Sequence, residues 1–172
     1  AEKLKSNADQ KLLSAAAMED QLGTLKSTQL AYKEAVQHFH NATKIVPESY
    51  PLISARYTYH SGVALLNSGD QIAAEKEISR AYAVMSALKA PFSIPRLEMA
   101  REFAGLKRLL GKYSEAASLF EETLKWQEQL LGRDHLWVAH TLNSFGLLRN
   151  DQGRYKDAEE LALRALRIQE AN

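Results

Sequence analysis

Five histidines are the side chains of this 172-residue sequence best suited to bind a metal or shuttle a proton at neutral pH. Their spacing argues against both. His38 and His40 stand two apart, which on a helix turns them in different directions. His135 and His140 lack the i,i+4 step and the intervening Glu of a zinc-hydrolase helix. The stretch GLKRLLGK (Gly105 to Lys112) resembles a phosphate loop, but it has one residue too many between its glycines. Tyr113 follows where a Ser or Thr would hold magnesium. SALK (Ser86 to Lys89) has a serine–lysine spacing without its companion motifs. Glu121–Glu122 and Glu159–Glu160 are adjacent on helices and diverge, so neither pair suits acid–base work. The sequon NAT (Asn41 to Thr43) matters only in a eukaryotic secretory protein. The sequence predicts no catalytic site, no metal site and no cofactor.

Composition agrees. With 45% apolar and 25% charged residues the chain is of the soluble globular type, and a formal charge of +1 gives no general attraction to nucleic acid or anionic lipid. The absence of Cys removes disulfides and thiolate ligands, which suits the cytoplasm and the bacterial periplasm equally. No apolar run approaches the roughly 20 residues of a membrane span, so membrane insertion is not expected. The N-terminus, AEKLKSNADQKLL, has no signal-peptide core, and its Ala start suggests a trimmed or cleaved chain.

What the sequence does contain is a repeat. Gly69, Gly111 and Gly153 stand 42 residues apart. Five residues beyond them come Ala74, Ala116 and Ala158, and seven before them Gly62, Ala104 and Gly146. Further columns are Ile78, Phe120 and Ala162, then Ala81, Thr123 and Ala165, then Val84, Trp126 and Ile168. A weaker first copy has Gly23, Ala35, Phe39, Ala42 and Ile45 in these columns, Leu30 in place of the turn glycine, and Pro47 as a stop. Small residues at fixed points let paired helices approach closely, and the glycine closes the turn between them. One such hairpin cannot bury its apolar face alone, whereas a stack can.

These residues resemble the tetratricopeptide repeats, particularly the 42-residue variant of kinesin light chains and their bacterial relatives. Leu131 to Glu170 is similar to a near-complete copy, departing at Leu136 and Trp137. The resemblance covers residues 16–172. It implies an all-α fold, an α-solenoid wound as a right-handed superhelix of about four antiparallel helix–turn–helix repeats. The sequence reads as a single domain, 1–172, with repeats near 16–49, 55–88, 97–130 and 139–172 and a helical extension over 1–15. First helices are expected over 9–28, 52–68, 96–110 and 136–151. Second helices are expected over 31–46, 71–89, 113–131 and 155–171.

In proteins of this kind one stripe of the first helices lines a concave surface that holds a peptide. Here the stripe comprises the columns Arg56, Glu98 and His140; Tyr59, Arg101 and Asn143; His60, Glu102 and Ser144; and Leu66, Arg108 and Asn150. Arg56, Arg101 and Arg108 could take carboxylates, Asn143 a peptide backbone, and Tyr59 and His60 flat contact. Either an acidic or C-terminal segment of another protein meets these cations, or Arg101 is answered by Glu98 or Glu102 of its own array. The Lys/Asn pattern that grips a terminal carboxylate in chaperone-binding relatives is not reproduced. Trp126 falls in a core column, and Trp137 fits no column and is expected to pack.

The chain ends with a second helix and no polar capping helix, which would leave Leu163 and Leu166 uncovered. The expected function is thus a non-catalytic protein–protein interaction scaffold holding a protein or peptide in its groove. The alternative is a structural or oligomerisation module of a larger regulatory or envelope protein, joined through its ends. A homo-oligomer would then form through the C-terminal helix.

Overall fold

The computed structural model describes residues 2–87 and 94–172. Among these residues it contains eight α-helices and no strand. They are α1 (Glu2–Thr28), α2 (Tyr32–Ile45), α3 (Pro51–Asn67), α4 (Gln71–Ala87), α5 (Ile94–Leu109), α6 (Tyr113–Leu131), α7 (Leu136–Asp151) and α8 (Tyr155–Glu170). The expected bounds hold to within two residues except at α1, which begins seven residues early and absorbs the expected extension. Leu88 and Lys89, which complete both the expected 71–89 helix and the SALK motif, lie outside the described residues.

The four hairpin turns share one construction. In each, a residue with positive φ follows the first helix, and its own amide and the next fold back onto that helix. Gly69 N–H donates to the Leu66 carbonyl and Asp70 N–H to that of Leu65. Gly111 and Lys112, Gly153 and Arg154, and Leu30 and Ala31 repeat the pattern. This is the paired 5→2 and 6→1 closure that satisfies carbonyls at a helix end. It requires the left-handed conformation, which Leu30 adopts at φ 59° where its counterparts are glycines at φ 71° to 89°. Pro51, at the start of α3, presets φ for the first turn. His135 caps α7, its Nδ1 accepting from the Trp137 N–H at 3.1 Å.

The chain divides into two compact units, Ala1–Ala90 and Pro91–Asn172, each made of two hairpins. In the first unit α1, α2, α3 and α4 pack in succession, and α1 also touches α3. In the second, α5 to α8 pack in succession and α5 also touches α7. First helices therefore lie beside first helices within each unit. The fold is an all-α helical-repeat solenoid.

Small residues set the spacing. Ala16, Ala42, Val46 and Tyr57 form one cluster of the first unit, and Ala35, Phe39 and Ala64 another. In the second unit Phe120 stacks on Phe145 at 5.5 Å, with Ala104, Ala116 and Leu148 around them. Val138, Ala139, Leu142, Ala165 and Ile168 form the next layer. Gly62 lies so close to Ile78 that a methyl group on it would overlap that buried side chain. Three columns depart from the core pattern. Ala162 is exposed, Trp126 is only half-buried, and Tyr155 is exposed where its counterpart Tyr113 packs against the Phe120 cluster.

Candidate partner-binding site

A recess on a first-helix face lies in the second unit, where α5 and α7 run side by side. Glu98 and Arg101 of α5 and Trp137 and His140 of α7 line an open cleft of about 210 Å³. Arg101 and Glu98 are one turn apart, as are Trp137 and His140, so each helix contributes one edge. Trp137 is half-buried and presents a flat apolar wall. His140 is exposed, and Asn143 extends exposed from the same helix one turn further on. Ser144 is half-buried and donates its hydroxyl to the His140 carbonyl at 3.1 Å; Asn150 is exposed.

The cations of the stripe differ in how far the chain itself satisfies them. Arg101 pairs with Glu102, its sequence neighbour. Arg108 reaches from α5 to Asp151 of α7, Nη1 to Oδ2 at 2.6 Å. In the first unit Arg56 is exposed and has no carboxylate partner among the described residues; its guanidinium lies 5.1 Å from the centre of the Tyr57 ring. Tyr59 is half-buried with its ring 5.9 Å from that of His60.

His60 belongs to the interior of its unit. Its Nδ1 meets Asp20 Oδ1 at 2.6 Å, and its ring lies edge-on to Phe39 at 5.5 Å. The other two histidines of this unit are engaged in the same way. His38 contacts Glu19 at 2.8 Å, and His40 contacts the Ser61 hydroxyl at 3.1 Å. Together these contacts tie α1, α2 and α3. Among the described residues no group of three or more His, Cys, Asp or Glu could hold a metal.

The sequence favours packing for Trp137 over an exposed placement and does not put it at the recess. The signal was available: a large aromatic outside every core column, one turn before His140 of the stripe. Asp151 was missed because it stands one position beside the Asn150 column, and only stacking of α5 on α7 brings it to Arg108.

The family model described as Tetratricopeptide repeat matches residues 95–171. Residues 95–171, within the second unit, thus carry the tetratricopeptide-repeat pattern. BtubC (BKLC) from P. vanneervenii is similar in fold, with a TM-score of 0.87 at 16% identity over 99% of this chain and 68% of that one. A kinesin light chain-like protein of Podosopora anserina with nearly identical TPR-like repeats gives 0.76 at 18% identity, over 90% and 74%. Aspartyl phosphate phosphatase F from Bacillus subtilis gives 0.77 at 21% identity, over 99% of this chain and 44% of that one. No curated protein matches the sequence. Among the described residues no helix is long and apolar enough to cross a membrane.

Proposed function

We propose that this tetratricopeptide-repeat chain is a non-catalytic scaffold that holds an extended segment of a protein partner against its first helices. The observation that supports this most is the cleft of Glu98, Arg101, Trp137 and His140, continued by exposed Asn143. It combines one flat apolar wall with polar groups of both kinds on rigid helices, the composition of a site that orients a chain rather than transforms it. An acidic side chain of the partner would exchange with Glu102 for Arg101, while an aliphatic or aromatic neighbour covers Trp137. Arg56, exposed and without a carboxylate partner among the described residues, would be an anchor of the first unit's own. Arg108 contributes less, because an entering carboxylate must first displace Asp151.

Because the helices are already in place, binding requires little ordering of the scaffold, and the free-energy cost falls on the segment alone. The test is selection of short peptides from a random display library, followed by titration against variants. Enrichment of acidic peptides is expected, with Trp137→Ala and Arg101→Glu each weakening the selected peptides by about tenfold or more. Peptides that bind both variants, and the triple change of Arg56, Arg101 and Arg108 to Glu, as tightly as the parent would reject the reading.

A second reading, a linking module that joins through its ends, has an observation of its own. Leu163 and Leu166 on α8 are 50% and 48% exposed. Light scattering of a Leu163→Glu, Leu166→Glu double variant tests it: association lost in the variant supports joining through α8, and association that the variant leaves unchanged counts against it.

A further inference from the structure

α1 is 27 residues long, and its hairpin mate α2 has only 14. One side of α1 is occupied: Leu13, Ala16, Glu19, Asp20 and Gly23 are all buried or half-buried toward α2 and α3. The opposite side carries Ala8, Lys11, Ala15, Met18, Leu22 and Leu25, every one of them exposed. Met18 is 67% exposed, Leu22 42% and Leu25 51%. Steps of three and four residues put these six in a single seam, apolar at every position but Lys11, with the period of a two-stranded coiled coil. A continuous row of this kind is not the scatter of single leucines found on any surface.

We propose that this seam is a dimer interface on which α1 of a second copy of the chain packs antiparallel. The inference is independent of the cleft on α5 and α7. The seam is complementary to its own reverse. Setting Ala15 against Met18 of the second copy also sets Ala8 against Leu25 and Lys11 against Leu22. Each layer then places a small or flexible side chain opposite a large one, which fills the seam without overpacking it. The parallel alternative stacks like on like, and it forces Lys11 against Lys11. In the antiparallel arrangement the Lys11 stem covers Leu22 while its ammonium stays at the solvent edge of the seam. Ser14, Gln21 and Thr28 flank one edge of the seam without charge, and on the other edge Glu19 and Lys26 are already paired with His38 and Glu34. The two helices overlap for roughly 35 Å. That corresponds to on the order of 1,000 Å² of buried surface, the lower end of specific interfaces, and predicts a reversible dimer.

The chain has no cysteine, so single-Cys variants report contacts cleanly. Sedimentation equilibrium of the whole chain is expected to show monomer and dimer. Met18→Glu should weaken association at least tenfold with helical circular dichroism unchanged, because Met18 is 67% exposed within its own unit. Mixing Ala15→Cys with Met18→Cys under mild oxidation should yield the mixed disulfide in preference to either homodisulfide. A chain that stays monomeric at every concentration, or a Met18→Glu variant that dimerises like the parent, would overturn the proposal. So would dominance of the homodisulfides, which indicates parallel pairing, or preferential joining of Met18→Cys to Leu166→Cys, which indicates head-to-tail assembly through α8.

Discussion

Leu30 performs a task its three counterparts assign to glycine. Its φ of 59° crowds the Cβ against the backbone, while its side chain is 71% exposed and packs against little. Leu30→Gly should therefore stabilise the chain by about 1 kcal/mol, the strain removed less the entropy glycine adds to the unfolded state. Thermal or denaturant unfolding measures this, and a loss of stability would show that Leu30 contributes packing. Near the same turn, Lys26 Nζ reaches Glu34 Oε2 at 2.6 Å across the hairpin. This hydrogen bond, then the ammonium charge, holds the Glu34 carboxyl below its ordinary pKa. A pKa lowered in this way gives a contribution present at neutral pH and lost as the pH falls through the lowered midpoint. In an NMR titration, Lys26→Ala should raise the Glu34 midpoint toward the usual carboxylate range; an unmoved midpoint would remove Lys26 as the cause.

At the scale of the helix, glycines that look equivalent in sequence differ in function. Gly62 and Gly146 share a column, yet only Gly62 is pressed against a buried side chain, Ile78. The space at Gly146 allows a methyl group, with Leu161 Cβ 3.8 Å away. Gly62→Ala should cost about 1–3 kcal/mol through overpacking, whereas Gly146→Ala should be neutral or gain up to about 1 kcal/mol in helix propensity. Equal losses in chemical denaturation would contradict this. Helix bounds and turns were legible because the 42-residue columns repeat small residues and glycines at fixed places. The close approach at Gly62 was not, since Ile78 and Ala162 fill equivalent columns while one is buried and the other exposed. Long-range pairs were equally hidden. Asp20 and His60, or Arg108 and Asp151, are joined only once neighbouring first helices stack, and each member alone reads as a solvated helix charge. The start of α1 is not legible either, because no Ser, Thr, Asp or Asn stands before Glu2 to mark it.

Taken as a whole molecule, the chain gathers no reactive cluster among its described residues, and its distinctive surfaces are helix faces. Two such faces are separate in kind. The cleft of α5 and α7 mixes charge, amide and one aromatic wall, while the α1 seam is apolar and matches its own reverse. A partner segment suits the first and a second copy the second. Both faces can be followed in one sample, because the two events move different resonances. A library-selected acidic peptide titrated into uniformly labelled chain should shift the Trp137 indole N–H and the Asn143 side-chain amide, with the α6 and α8 signals unmoved. Shifts confined to the second helices, with Trp137 and Asn143 silent at saturation, would contradict the first-helix binding face.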